Sequence, residues 1–285
     1  MYLPDEIDQA RILITVKAYP KPSHKYSELV CTAGLLEGEK WVRIYPVLFR
    51  FLMDNDKYPK YSWINLDIVR SDVDFRPESY KPKLGLDEKF ILERTLGTKN
   101  SWAARRQFIL NDVFYSMKEL LQLAHGEGKK SLATVKPKEI LGFYIEETDR
   151  EWKESWQNTT IQAGFSDLGS NGDAEERELI RKVPYNYYYR FITEGDDNPR
   201  RLKIEDWEIG ALFWNCLKIT RGDEKAANDL VKKKYFDEFV NKKDLHFFLG
   251  TTLEFHRRRT VNPFMIIGVF YPPITKQTQM QLVTS

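Results

Sequence analysis

Aromatic and basic residues alternate along one predicted strand near the start of the sequence. Trp41, Arg43 and Tyr45 recur there at every second position, and in a β-strand that spacing places all three side chains on one face. Rings that stack on bases, together with a cation that neutralises phosphate, are typical of proteins that bind single-stranded nucleic acid. The stretch predicts a stacking platform, with Val42 and Ile44 facing the core. The alternative is a second buried face on which a carboxylate holds the arginine.

Three other stretches are rich in the same residue types. The loop at 17–26 combines lysines with two prolines, the run at 185–191 is rich in tyrosine, and three arginines stand between two apolar runs. Lysines in a stiff loop can clamp a phosphate backbone, and arginines can bind phosphate through two parallel hydrogen bonds. A solvated loop, strand packing and a solvated turn are the respective alternatives. The predicted nucleic-acid-binding residues are Lys17, Lys21, Lys25, Trp41, Arg43, Tyr45, Tyr188, Arg190, Arg257, Arg258 and Arg259.

A cluster of carboxylates offers a different chemistry. Asp72, Asp74 and Glu78 lie close together in the sequence and could hold the metal ions of a nuclease. Such a site also needs a lysine two residues after a glutamate, and Glu78 is followed by serine and tyrosine instead. We therefore expect Arg76 to pair with Asp74 or Glu78 and to fix a loop. The sequence predicts no catalytic residue, and a metal-dependent nuclease is the second hypothesis.

The composition gives little material for cofactor chemistry. The 285 residues include only two cysteines and four histidines, and no two histidines are spaced as metal ligands. The sequence also has no Gly-x-Gly-x-x-Gly pattern and no Walker loop. We therefore predict no metal site, no cofactor and no disulfide framework. An acidic N-terminal stretch and the lack of an apolar run long enough to cross a bilayer predict a cytoplasmic protein without a membrane partner.

Hydrophobic patterning predicts a β-rich first part of the chain. Runs of alternating or continuous apolar residues, separated by glycine and proline, indicate short strands. Strands at this spacing are typical of a small barrel or a curled sheet. The four predicted strands lie at residues 11–16, 29–36, 40–45 and 61–69.

The rest of the chain mixes helices and strands. Apolar residues at helical spacing predict one helix from Ser101 to Ala124, which glycines end. A strand at 139–146 and the tyrosine-rich strand follow. One helix then begins at Asp206, and a second is capped by Asp223. Two apolar strands around the arginines complete the predicted elements.

These elements predict an α+β fold with an N-terminal OB-like β-barrel, a helical connection and a C-terminal mixed α+β part. The predicted domains are residues 1–95, 96–173 and 174–285, with a flexible loop near 164–173. The net charge is +2 for the chain, and 0, −1 and +3 for the three segments. No segment is a basic tail, so the fold itself must assemble any site for a polyanion.

Several sequence blocks resemble an uncharacterised bacterial family and together span nearly the whole chain. They are residues 29–34, 41–46, 74–79, 184–191, 204–210, 247–251 and 263–273. Over about residues 10–70, the pattern Cys-x-Ala-Gly followed by Trp-x-Arg-x-x-Pro is also similar to the dual OB-fold domain of bacterial conflict and phage-defence proteins. That resemblance implies a nucleic-acid-binding barrel in which Trp41 and Arg43 are the matching residues. It also implies a Cys/His pair after the tyrosine-rich strand, where residues 194–200 of this chain contain neither.

The residues and the resemblance together predict a non-enzymatic nucleic-acid-binding subunit of a bacterial antiviral-defence or mobile-element system. Its partners would be DNA or RNA and other protein subunits of the same system. Stacking on Trp41 and Tyr45, with phosphate contacts from the lysines and arginines, would supply the affinity. Besides the nuclease, the alternative is a protein-interaction module, because tyrosine, tryptophan and arginine are also enriched at binding hot spots.

Overall fold

The computed structural model confirms the predicted α+β class. It describes residues 3–23, 27–38, 40–47, 49, 57–85, 88–153 and 180–275. Two seven-stranded sheets and the helices packed on them account for most of these residues. The predicted flexible loop near 164–173 lies outside the described residues. Within the described ranges, no helix is both long enough and apolar enough to cross a bilayer.

The first half of the chain forms a closed five-stranded barrel with two additional strands. Its strands are β1 (Glu6–Lys17), β2 (Lys21–Ser23), β3 (Ser27–Leu36), β4 (Trp41–Val47), β5 (Ser62–Arg70), β6 (Ser79–Pro82) and β7 (Ile91–Thr95). The barrel runs in the order β1-β3-β4-β6-β5, and β5 pairs again with β1. Neighbouring strands of the barrel are antiparallel, except that β4 and β6 are parallel. This arrangement is compatible with an OB-like fold.

Alternating residue types explain how the barrel fills its interior. Val42 and Ile44 of β4 are fully buried in the barrel core, as predicted, and Ile12 and Ile14 of β1 join them there. Branched side chains of this kind pack well on a pleated surface. The intervening residues of both strands therefore point out of the barrel, towards whatever covers it.

The second half of the chain forms an open sheet with helices. Its strands are β8 (Val113–Phe114), β9 (Leu132–Val135), β10 (Glu139–Glu147), β11 (Tyr185–Ile192), β12 (Arg200–Ile204), β13 (His246–Thr251) and β14 (Phe264–Phe270). They lie in the order β10-β11-β12-β14-β13-β9-β8. The helices among the described residues are α1 (Lys99–Ile109), α2 (Met117–His125), α3 (Trp207–Ile219), α4 (Glu224–Lys232), α5 (Phe239–Lys242) and α6 (Leu253–Arg257). A π-helical turn, Lys233–Glu238, joins α4 to α5.

The predicted helix starts at Asp206 and Asp223 are confirmed. The Asp206 carboxylate accepts the Glu208 amide at the start of α3, at 3.2 Å. The Asp223 carboxylate accepts the Ala226 amide at the start of α4, at 2.9 Å. Each side chain satisfies an amide that has no partner within the helix, which is the role of an N-cap.

One prediction about the helices is wrong. The single helix predicted from Ser101 to Ala124 is broken, because Val113 and Phe114 form β8 and pair with β9. Strand pairing there overrides the local apolar periodicity. Ser116 then caps α2 by accepting the Glu119 amide at 3.4 Å. The two apolar strands predicted around the arginines are β13 and β14, which pair antiparallel, and the short helix α6 lies in the connection between them.

The barrel and the second sheet each have a hydrophobic core, and a third cluster of buried residues joins the two halves. Trp41 and Trp63 of the barrel belong to it, together with Leu132, Phe248 and Phe270 of the second sheet. The rings of Trp41 and Phe248 meet edge to face, with centroids 5.5 Å apart. The second sheet takes strands from both sides of residue 173, and the division of the chain at residues 95 and 173 stays a prediction.

Candidate functional site

The predicted stacking platform on β4 lies mostly inside the protein. Trp41 and Arg43 are each only 4% exposed, whereas Tyr45 is 47% exposed. Arg43 donates from Nη1 to Ser131 Oγ at 3.1 Å, and Ser131 Oγ donates to Glu78 Oε2 at 2.8 Å. A carboxylate therefore holds the arginine through a serine. The platform predicted from Trp41 and Arg43 is replaced by an interface between the two halves, because the second sheet covers this face of the barrel.

The barrel engages the first lysine of the predicted basic loop. The Lys17 ammonium lies 4.1 Å from the ring centroid of Phe49 and donates to the carbonyl of Tyr58 at 3.2 Å. Burial is the largest cause that lowers the pKa of Lys17, to about 8. Lys21 belongs to β2, but its side chain and the whole of Lys25 lie outside the described residues. Lys17 is thus placed among rings of its own chain rather than on an open surface.

Tyr188 and Arg190 lie on the outer face of β11. Tyr188 pairs across the strands with Tyr144 of β10. The guanidinium of Arg201, from β12, lies 4.0 Å from the ring centroid of Tyr188 and 5.3 Å from that of Tyr144. Arg201 also pairs with Glu146 at 2.5 Å. One face of the Tyr188 ring is therefore occupied by an arginine of the same sheet.

Two of the three consecutive arginines line a cavity between the halves. Arg258 points to Glu254 and pairs with it at 2.9 Å. Arg257 and Arg259 are exposed and border a cavity of about 180 Å³. We call this cavity the Phe75 pocket; its lining residues are Phe75, Ala124, His125, Gly126, Lys129, His256, Arg257 and Arg259.

Loops from both halves build the Phe75 pocket. Phe75 comes from the β5–β6 connection of the barrel, and Lys129 follows the end of α2, where Gly126 closes the helix. Lys129 and Arg259 have φ angles of 44° and 50°, in the left-handed region that costs a side-chain-bearing residue about 1–2 kcal/mol. Residues held in this region cluster at functional sites. Two cations of the pocket occupy positions where glycine would be less strained.

A buried ion pair fixes Phe75 beside the arginines. Arg76 is 6% exposed and donates from Nε to the two Asp74 oxygens at 2.8 and 3.1 Å, which confirms the predicted pair. It also donates from Nη1 to the Thr251 carbonyl of β13 at 2.5 Å. Burial raises the pKa of Asp74, but the hydrogen bonds and charge of Arg76 outweigh burial and hold that pKa below its usual value. Phe75, between these two residues, is thereby anchored to the second sheet.

The lining of the Phe75 pocket is cationic. Lys129, Arg257 and Arg259 contribute positive charge, and none of the described residues that line the pocket is acidic. In the described part of the chain, no carboxylate forms an ion pair with any of these three side chains. Unopposed charges of one sign in a cleft raise the local concentration of oppositely charged ligands. The pocket is therefore suited to an anion.

His256 forms a neutral, fixed floor beneath the pocket. It is 4% exposed, and its Nε2 lies 2.9 Å from the Ala124 carbonyl, which can only accept. Nε2 therefore carries the proton, and Nδ1 lies 3.1 Å from the Thr251 hydroxyl oxygen. Burial is the largest cause that lowers the pKa of His256. The ring meets Phe75 edge to face, with centroids 5.3 Å apart, so it supports the phenyl ring from below.

The carboxylates of the nuclease hypothesis have separate partners in the protein. Asp72 pairs with Lys81 at 2.9 Å, Asp74 pairs with the buried arginine, and Glu78 accepts from the amide and hydroxyl of Ser131 at 3.0 and 2.8 Å. Among the described residues, no group of three or more histidine, cysteine, aspartate or glutamate side chains is arranged to hold a metal ion. No observation on these three carboxylates favours a nuclease.

Sequence reasoning finds the arginines of the pocket but misses Phe75 and Lys129. Phe75 is a single apolar residue between Asp74 and Arg76, inside one of the blocks that carry the family resemblance. Lys129 follows two glycines that mark the end of a helix. An apolar residue between two oppositely charged neighbours in a loop is a usable signal, whereas nothing in the sequence indicates that Lys129 lies nearby.

Comparison with protein families assigns each half of the chain to a separate domain. Residues 8–111 match a domain of unknown function (DUF8758), and residues 112–284 match a second domain of unknown function (DUF8757). Phe75 comes from the first matched segment, while Lys129 and the arginines come from the second. A search among curated proteins found no match. The second match covers more than half of the chain, and the protein therefore belongs to the DUF8757 family.

Proposed function

We propose that this protein is a non-enzymatic nucleic-acid-binding protein that takes a single strand at the Phe75 pocket. One observation carries the proposal: an exposed aromatic ring stands beside three cations in a cavity without acidic lining. Every base offers a face that can stack on a ring, and cations neutralise the phosphates that follow. The proposed binding site thus lies at the junction of the two halves, and not on β4 as the sequence predicted.

The geometry of the pocket allows one nucleotide to meet the ring and the cations together. Phe75 is 41% exposed, although its loop is anchored by Arg76. The Lys129 ammonium lies over one face of the Phe75 ring, 5.4 Å from its centroid, so a base that stacks on that face takes the place of the ammonium, which stays beside it. A base stacked on this ring brings its own phosphate within reach of Lys129, Arg257 and Arg259. Little ordering is needed on binding, because the ring is already fixed.

The position of the pocket on the barrel supports the same proposal. In OB-folds, oligonucleotides bind to the second and third strands and to the loops that follow the first and fourth. Phe75 lies in the connection from β5 to β6, which are the fourth and fifth strands of this barrel along the chain. Here the second sheet covers Trp41 and Arg43 of the third barrel strand. With this part of the strand face covered, the loop that carries Phe75 is the part of the barrel that the proposal assigns to a ligand.

The cellular setting is part of the proposal. The resemblance of the barrel segment to the dual OB-fold domain of bacterial conflict proteins supports a place in a bacterial antiviral-defence or mobile-element system. Such a protein works in the cytoplasm beside other subunits of its system. The barrel seen in the structure is compatible with that resemblance, and the nucleic-acid partner is DNA or RNA.

Fluorescence anisotropy with labelled single-stranded DNA and RNA, at low salt, tests the proposal. We expect dissociation constants of about 10⁻⁴ M or tighter. Replacing Arg257 and Arg259 with alanine should weaken binding and reduce the salt slope by about 1.4, since each single-strand phosphate contact contributes about 0.7. Lys232→Ala with Lys233→Ala removes the same charge from exposed positions elsewhere and should leave the affinity unchanged. Absence of binding, or equal losses in both variants, would contradict the proposal.

A second set of variants tests stacking on Phe75. Phe75→Leu keeps an apolar side chain but removes the flat ring, and it should weaken single-strand binding by about 5- to 150-fold, the equivalent of about 1–3 kcal/mol per stacked base. Phe75→Trp keeps a ring and should bind within a few-fold of the wild type. Duplex binding should change little in either variant. A leucine variant that binds single strands as tightly as the wild type would show that the ring does not stack.

The outer face of the second sheet favours a second function, protein interaction. Tyr144 is 40% exposed there. Arg201 pairs with Glu146 and Lys203 pairs with Glu205, both at 2.5 Å, so most of the positive charge of this face is balanced, while Arg190 stays exposed. A balanced aromatic and arginine surface suits a protein partner better than a polyanion, since tyrosine and arginine are enriched at hot spots. Other subunits of the system would dock on this face.

A further inference from the structure

The Phe75 pocket is too small for a run of nucleotides. Its volume of about 180 Å³ lies below the roughly 300–1,000 Å³ of pockets that enclose a drug-sized ligand. Its floor is closed by Ala124 and His256, which are 1% and 4% exposed. His256 is held there by hydrogen bonds at both ring nitrogens. One nucleotide of a strand can therefore enter the pocket, but the strand cannot pass on through this closed floor.

The cations of the pocket converge on one place instead of following a track. Lys129 lies after α2, Arg257 ends α6 and Arg259 follows it, and all three border the same cavity. A phosphodiester within a strand carries one negative charge. A terminal phosphate monoester carries about −1.5 to −2 at pH 7 and offers three strong acceptor oxygens. Three unopposed cations around a small cavity match the monoester more closely, and each arginine can contact it with two hydrogen bonds.

We propose that the Phe75 pocket recognises the end of a nucleic-acid strand that carries a terminal phosphate monoester. The terminal phosphate lies among the three cations, and the base of the terminal nucleotide stacks on Phe75. This inference rests on the proposed function and narrows it from strands in general to phosphorylated ends. The rest of the strand leaves through the open side of the pocket.

Competition anisotropy on the full chain tests the inference with one oligonucleotide sequence in three forms. The forms carry a 5′-phosphate, a 3′-phosphate, or hydroxyl groups at both ends, and the matching 5′-mononucleotide is a fourth competitor. We expect one phosphorylated form to compete at least about tenfold more tightly than the hydroxyl form. The same form should also compete more tightly than the mononucleotide, because only the oligonucleotide can make further contacts beyond the pocket. The two phosphorylated forms identify which end is recognised.

Variants separate failure of this inference from failure of the proposed function. Arg257→Ala with Arg259→Ala should abolish the preference for a phosphorylated end, and Lys232→Ala with Lys233→Ala should keep it. Equal competition by the phosphorylated and hydroxyl forms would overturn the inference and leave single-strand binding in place. A mononucleotide that competes as tightly as the strand would also overturn it, because the ligand would then be a free nucleotide. Absence of binding by every form would overturn the proposed function itself.

Discussion

Replacing Arg76 with methionine should destabilise the protein and release Phe75 from the second sheet. Methionine fills much of the same apolar space but has no charge and no donor. The Asp74 side chain, 12% exposed, would lose its partner, and the Thr251 carbonyl would lose a donor at 2.5 Å. Removing one member of a buried pair costs about 3–5 kcal/mol. Because Asp74 keeps some contact with water, we expect the free energy of unfolding to fall by about 3 kcal/mol.

A double variant and the pH dependence identify the cause of this loss. Combining Asp74→Asn with Arg76→Met removes the stranded charge, so about 1–2 kcal/mol should return. In the wild type, the lowered pKa of Asp74 contributes stability above its ordinary pKa of 3.8, and this stability is lost as the pH falls through the lowered value. In Arg76→Met the carboxylate has no partner, and its protonation relieves the penalty. The deficit of the single variant should therefore shrink as the pH falls towards 4.

Urea unfolding at pH 7 and pH 4 measures both effects, and anisotropy of the folded variants measures oligonucleotide binding. Arg94→Met is a matched control, because Arg94 is an exposed arginine on β7 whose replacement should cost less than about 0.5 kcal/mol. A loss below about 1 kcal/mol in Arg76→Met would refute the reasoning, since that is the range of exposed pairs. A double variant no more stable than the single one would refute it as well.

Three other predictions concern residues outside the Phe75 pocket. Trp41→Ala should lower the free energy of unfolding by about 3–5 kcal/mol in urea, because the ring belongs to the core shared by the halves; a loss below about 1 kcal/mol would contradict that. Burial is the largest cause that lowers the pKa of His246, to about 4, so stability should fall from pH 6.5 to pH 4 as the unfolded chain takes up the proton more readily. His246→Asn should flatten that dependence, and an unchanged pH profile would refute the assignment. Arg201→Ala should keep the oligonucleotide affinity, measured by anisotropy, within about twofold of the wild type, because the charge of Arg201 is already paired. A loss of affinity as large as that of the Arg257 and Arg259 variant would place nucleic acid on the sheet face.

Local patterns predict the elements of this fold well but cannot say which surfaces meet. Alternation along β4 correctly separates Val42 and Ile44 from Trp41 and Arg43, because a strand has a period of two. It does not show that the second sheet covers Trp41 and Arg43, since that depends on residues such as Phe248, far along the chain. An aromatic and arginine face looks the same in sequence whether it binds a base or another sheet.

The candidate site shows the same division between local and tertiary information. The pair of Asp74 and Arg76 is predictable because the two residues are neighbours in a loop. The pocket itself is not, because Phe75, Lys129 and Arg257 are brought together only by the packing of the two halves. The prediction of one continuous helix across α1 and α2 is wrong for a related reason. The strand β8, which interrupts it, pairs with β9, and the sequence around β8 does not show that partner.

Ultraviolet cross-linking of the full chain to a single-stranded oligonucleotide, followed by mass spectrometry of the cross-linked peptides, tests the central claim most directly. If the strand binds in the Phe75 pocket, we expect cross-links at Phe75 and in the peptide that contains Lys129. These cross-links should be lost when Arg257 and Arg259 are replaced with alanine. Cross-links confined to Tyr45 or to the face around Tyr188, with none at Phe75, would contradict the proposed site.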